Sequence, residues 1–450
     1  MYWKIFNVFV LLTLSNYASA QLGKVELPTY NTMQPVYTDG GVKDHQNQTQ
    51  RSSLNEEKIR VQEQNVLVHQ KAVISADDKR KAYNEFLREY REDELRKQFD
   101  LMRQKPSDSI KIREYNNLKK KLRIVDVSSA SYISNSKFYV GAAEELQKML
   151  DGKIPMNLKR AVFISENAWY GNTKSYSSFC KQIDQLVWIC REVLKQEKLI
   201  EQDPVACHYA IQKLFSDTIV VKKADGSLKA IPPLHYDFED FFGEKDYSKF
   251  FVLKLLDSKS GQCHSLPLLY LILASEMKVP AYLSIAPNHS FIKYPAGKKM
   301  CNFECTSGAI VSDGWMVGSG YISSMAIRNG IYLAPQTLKE TIAQCLNDLI
   351  SGYQQKFGYD DYVLLNSQKV LQHYPMCISA MLTISNCVTA YCFRMAEKHR
   401  FPSKKEMEQI PELKQRYDLM IDLERDIEAL GYIKIPLEEY EKWLLSAREK

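Results

Sequence analysis

GQCHSLPLLYLILASEMKVPAYLSIAPNHSFIKYPAGKKMCNFECTSG, residues 261–308, decides how this chain folds. It opens on a small, polar turn, Gly261-Gln262, that delivers Cys263 to the start of an apolar segment. Leu266, Leu268, Leu269, Ile272, Leu273 and Met277 make that segment apolar nearly all round, the mark of a buried helix. Pro267 fits only near the beginning of a helix, which sets Cys263 in the first turn or just before it. Unpaired N–H groups and the positive end of the helix dipole favour a thiolate there.

Strand-like sequence follows. Residues 281–294 read as extended and end at Pro295-Ala296-Gly297-Lys298, a hairpin turn from which residues 300–306 return. A turn centred on Ala296-Gly297 sets His289 directly opposite Glu304, about 5 Å away across an antiparallel pair. A register shift of two brings Asn302 or Thr306 opposite instead, and the period of two keeps all three on the His289 face. Thiol at a helix start, imidazole on one strand and acceptor on the next is the logic of a Cys-His-acid site. Cys263, His289 and Glu304 are therefore the candidate catalytic residues, with Asn302 the rival for the third position. His264 is expected on the cleft wall or as a cap. Gln262, Asn288 and Asn302 are candidates for polar contacts to a substrate.

These residues resemble a known family. The order helix-borne cysteine, strand-borne histidine, next-strand acid is similar to the transglutaminase-like superfamily of papain-type folds. Its SirB-related branch is the nearest likeness, over roughly residues 158–399. AVFISENAWYGN (161–172) resembles the opening helix of that branch, DYSKFFVLKLLDSKSGQCHSLPLLYLILA (246–274) its central motif and PNHSFIKY (287–294) its histidine strand. The resemblance implies an α+β fold in which a nucleophile helix packs on a small antiparallel sheet, with helical extensions at both ends. It implies acyl transfer through a cysteine, as a protease, amidase or transglutaminase. Members of the branch that have lost the cysteine are not known as enzymes, whereas this chain has Cys263 in the nucleophile position. Glu304 stands where transglutaminases usually carry Asp.

The remainder of the 450 residues divides into regions. Residues 1–20 read as a secretory signal, with Lys4, an apolar core at 5–14 and Ala18-Ser19-Ala20 before Gln21, so a periplasmic or secreted location is expected. That core is too short for a membrane anchor, and no span is expected after cleavage. Residues 21–54 form a polar tether, and 55–138 a mostly helical region whose stripe, Tyr83 to Met102, suits docking within the chain or on a partner. The core is expected over 139–335 and a helical, tetratricopeptide-like part over 336–450. Within these, helices are expected at 142–150, 158–168, 175–197, 337–357, 360–373, 376–399, 404–430 and 436–449. A hairpin is expected at 218–223 and 227–231, and a loop plus strand at 314–323. The acidic-aromatic loop 235–241 reads as a plug before the nucleophile helix rather than as a cleft wall.

A net charge of +6 is mild for this length, and no basic stripe is interleaved with aromatics, so nucleic acid is not the expected partner. A protein or peptide substrate is. All ten cysteines lie from Cys180 onward, too sparse for a disulfide framework. Cys301 and Cys305 on one strand make a poor zinc pair, and neither metal nor cofactor is expected. Three functions stay open: a cysteine-dependent acyl-transfer enzyme, an inactive relative whose core and helices bind peptides, and, on the signal and the long helices alone, a secreted structural protein of the envelope.

Overall fold

The computed structural model describes residues 130–222, 226–317 and 321–435. The signal, the tether, the first helical region up to residue 129 and the expected helix at 436–449 lie outside the described residues. Four helices come first: α1 (Ala130–Leu150), α2 (Leu158–Asn167), α3 (Tyr176–Gln196) and α4 (Pro204–Ser216). The side chains of Asn157, Ser175 and Asp203 accept backbone N–H groups at the starts of α2, α3 and α4, which satisfies donors the helix itself cannot pair.

A hairpin of β1 (Ile219–Lys222) and β2 (Leu228–Ile231) follows, as expected from the sequence. Next come β3 (His235–Tyr236), a 3-10 turn (Tyr247–Phe250), α5 (Val252–Ser258) and β4 (Ser260–Gly261). β3 and β4 pair in parallel, Tyr236 beside Gly261, and so tie the acidic-aromatic loop to the approach of the nucleophile helix. Gly261 is required here: a Cβ would lie 2.6 Å from Ser265 Oγ, which accepts the Gln262 N–H at 3.0 Å.

That helix, α6 (Ser265–Glu276), is buried at every position from Ser265 to Ala274, each Leu and Ile contributing roughly 2 kcal/mol by leaving water. It packs on a four-stranded antiparallel sheet, β5 (Tyr282–Ala286), β6 (His289–Ala296), β7 (Lys299–Glu304) and β8 (Ala309–Val311), in sequence order. Short helices α7 (Asp313–Val317) and α8 (Ser324–Arg328) lead to α9 (Leu338–Phe357), α10 (Asp361–His373), α11 (Ile378–Lys398), α12 (Lys404–Met407) and α13 (Pro411–Ala429). The fold class is α+β. No helix among the described residues is long and apolar enough to cross a membrane.

Several expectations need correction. Residues 281–294 are two strands: Pro287 and Asn288 turn the chain so that Ala286 pairs with His289. Proline's fixed φ suits the first central position of a type II turn and Asn288, at φ 56, supplies the positive φ of the second. The β6–β7 turn falls on Gly297-Lys298, with Ala296 paired to Lys299 and Ile292 to Phe303. Gly297, at φ +61, takes the positive φ of the first central position. The ladder is thereby shifted by two from the expected register, and Glu304 is not directly opposite His289. Residues 313–317 are helical, not a strand. Residues 404–430 break into α12 and α13 at Pro411, which lacks the N–H that would continue the helix. α4 and α5 were not anticipated. The boundary at 335/336 does not separate two cores, because Ile342, Leu346, Ile350 and Tyr353 of α9 join residues of α1, α2 and α6 in one cluster.

Candidate active site

Cys263 sits two residues ahead of α6, half-buried, with Sγ 3.6 Å from the carbonyl oxygen of Asn288 in the β5–β6 turn. The same turn places His289 at the first position of β6. Ser290 donates its hydroxyl to the Cys263 carbonyl and stitches the nucleophile segment to the histidine strand. The His289 ring is within hydrogen-bonding reach of Cys263, while its Nε2 is bonded to Glu304 Oε2. Nδ1 is the nitrogen left for the thiol. Glu304 reaches diagonally across the ladder rather than straight over, a span long side chains manage.

Glu304 is 1 % exposed. Its second oxygen accepts the Thr306 N–H at 3.0 Å and the Thr306 hydroxyl at 2.7 Å. Burial opposes its charge, but His289 and the Thr306 donors outweigh burial and hold the carboxyl below its ordinary range. Burial likewise opposes an imidazolium at His289. The Glu304 charge and the hydrogen bonds to Cys263 and Glu304 overcome it and push the His289 pKa up. This is an ion pair inside the protein, kept in place by hydrogen bonds on both sides.

The site opens on a cleft of about 170 Å³, which Glu304, buried behind His289, does not itself line. Cys263 and His289 line it directly. One wall is aromatic, with Phe241, Phe242, Tyr247 and Phe250. The acidic-aromatic loop 235–241 therefore contributes to a wall of the cleft through Phe241, and is not a plug alone. It is stiff: Asp240 accepts the N–H groups of Glu244, Lys245 and Asp246, and Asp237 pairs with Lys249 at 2.6 Å. α9 and α11 add polar side chains to the lining, among them Gln344, Asp348, Ser379, Thr383 and Asn386, beside the apolar Ile378 and Leu382.

The other residues singled out in the sequence separate. His264 lines the cleft; it occupies the N-cap position of α6 but makes no side-chain capping bond. Its Nε2 bonds Asp348 Oδ2 at 2.9 Å, and Gln344 donates to Asp348 Oδ1 at 2.9 Å. Burial depresses its imidazolium, yet Asp348, with lesser help from Cys263 and Glu166, raises the pKa. Asn288 also lines the cleft. Gln262 is fully buried, and its amide nitrogen donates to the carbonyls of Asp237 and Asp240, both at 3.1 Å, so it anchors the loop and is not directed at a substrate. Asn302 is paired with Lys293 on the ladder, two strand repeats along β6 from His289, and donates to Asp313 at 2.8 Å. Glu304, not Asn302, is the residue that reaches the imidazole.

Two carboxylates at the cleft were not anticipated. Glu166 of α2 accepts the Val252 and Leu253 N–H groups at 2.7 and 2.8 Å, capping α5 from a distance, and burial pushes its pKa up to about 8 against those bonds. Asp348 arrives from α9, 84 positions beyond its partner. The available signal was the polar set Gln344, Asn347, Ser351 and Gln354 on an otherwise buried helix. Among the described residues, no group of three or more His, Cys, Asp or Glu is arranged to hold a metal ion. All ten cysteines are free thiols. Compared with known proteins, the chain matches no family model, no curated protein and no solved structure.

Proposed function

We propose that this protein is an exported cysteine-dependent acyl-transfer enzyme of the transglutaminase-like class, acting on an amide or peptide carbonyl. The observation that carries this reading is the meeting of Cys263 and His289 at one cleft, with the imidazole held at its far nitrogen by the buried Glu304 carboxylate. The papain-type arrangement of helix and sheet is part of the same proposal, supported by α6 packing on the β5–β8 sheet. Export rests on residues 1–20.

In this mechanism the Cys263 proton already rests on His289, as a thiolate–imidazolium pair beside Glu304, and the sulfur attacks the carbonyl carbon. The C=O π electrons move to oxygen, and the Cys263 backbone N–H at the helix start donates to that oxyanion. The carbonyl re-forms as the amine leaves with the proton from His289. Water or a second amine then resolves the thioester by the reverse sequence, giving hydrolysis or transfer. Glu304 fixes the tautomer and stabilises the imidazolium. The test is acylation by a simple donor, p-nitrophenyl acetate, read by peptide mass spectrometry. Acetyl is expected on Cys263, slowed by about 10²–10⁴-fold in His289→Ala. Acetylation spread evenly over the thiols, or indifferent to His289, would contradict the proposal.

A further inference from the structure

Resting on that reading, a second imidazole at the cleft demands a role. The transition state of acyl transfer needs donors for its oxyanion, and one backbone N–H is a minimal set. The neighbouring side-chain amide is withdrawn: Gln262 Nε2 is spent on the carbonyls of Asp237 and Asp240. On the other side of Cys263 stands His264, whose ring lines the cleft. Its Nε2 is bonded to Asp348, and Asp348 is itself held by Gln344, so the ring cannot turn freely. Nδ1 makes no hydrogen bond with any described residue.

We propose that His264 is a catalytic residue of this site, its Nδ1–H donating to the oxyanion that forms when Cys263 attacks an acyl carbonyl, with Asp348 as its positioning residue. No proton changes hands in this contact; the leaving amine still receives its proton from His289. The groups facing His264 are Asp348 from α9, Glu166 from α2 and the adjacent Cys263, and it is chiefly the bonded Asp348 carboxylate that favours the imidazolium that donates. Two histidines thus divide the work around one sulfur: one moves protons, the other holds charge.

The test uses two reagents on the full chain. p-Nitrophenyl acetate passes through an oxyanion, whereas iodoacetamide reacts at a saturated carbon and expels iodide without one. His264→Ala is expected to slow acetylation of Cys263 by about 10²-fold while alkylation changes by no more than about threefold. A parallel fall in both rates, or acetylation left intact, overturns the proposal. Asp348→Asn provides the second arm. Removing the carboxylate lowers the His264 pKa, so the alkaline limb of the acetylation profile moves to lower pH while the plateau below it persists. A uniform loss at every pH would make Asp348 a structural residue and contradict its positioning role. If neither reagent marks Cys263 in the unaltered chain, the nucleophile reading fails and this inference with it. If both mark it and only the His264 variants behave otherwise than expected, the inference fails alone.

Discussion

His289 and Glu304 form the most consequential pair in the protein, and their linkage fixes how stability depends on pH. Glu304 is held below its unfolded value, about 4.3, so its contribution is present above that pH and is lost as pH falls through the folded pKa. His289 is raised above its unfolded value, about 6.5, so its contribution is full below that pH and is lost as pH rises through the folded pKa. Glu304→Gln is expected to cost roughly 3–5 kcal/mol, because an imidazole is left buried without its partner. In urea titrations the gap between the two proteins should be widest between about pH 4.5 and 6.5 and narrow on both sides. A constant gap from acid to alkali would mean that the pair is not ionised. Much of this was legible in the sequence, since strand parity alone puts Glu304 on the His289 face. The register was not legible, because it hangs on which dipeptide forms the turn, and Gly297 takes its positive φ as the first residue of Gly297-Lys298 rather than as the second of Ala296-Gly297. Nothing local joins His264 to Asp348, and that contact exists only once α9 is packed.

At the level of elements, α5 shows how the cleft is supported from behind. Phe251, its N-cap residue, offers no side-chain acceptor, and Glu166 of α2 bonds the two N–H groups that the helix cannot pair. Glu166→Ala leaves both donors buried and unpaired, an expected loss of about 1–3 kcal/mol for each. Faster hydrogen exchange at Val252 and Leu253 would locate that loss at the start of α5. Unchanged protection there would show that α5 holds its first turn without the cap. The long amphipathic helices α2, α3, α9, α10 and α11 were readable from their periodicity and caps. α4 was signalled by Asp203-Pro204, an N-cap followed by proline at the first helical position, but its apolar face is short. α5, a helix of seven residues, shows too little periodicity to be read.

Across the whole molecule, the C-terminal helices are part of the core that carries the nucleophile. α9 packs on α1 and α2 and supplies Gln344 and Asp348 to the cleft. Composition suggested a boundary because the strands end near residue 311 and helices follow, yet helices bury an apolar stripe wherever a partner face is available. Packing also sorts the thiols. Seven of the ten cysteines are buried, and burial pushes their pKa values up. Only Cys180, Cys263 and Cys301 are half-buried, and among the described residues Cys263 is the one of the three with an imidazole, His289, beside it. Activation of Cys263 by His289 can be read from competitive labelling with iodoacetamide at neutral pH, resolved thiol by thiol in the wild type and in His289→Ala. Cys263 is expected to react well ahead of Cys180 and Cys301 in the wild type and to lose that lead in the variant. Equal, slow labelling of the three in both proteins would contradict a thiol activated by His289.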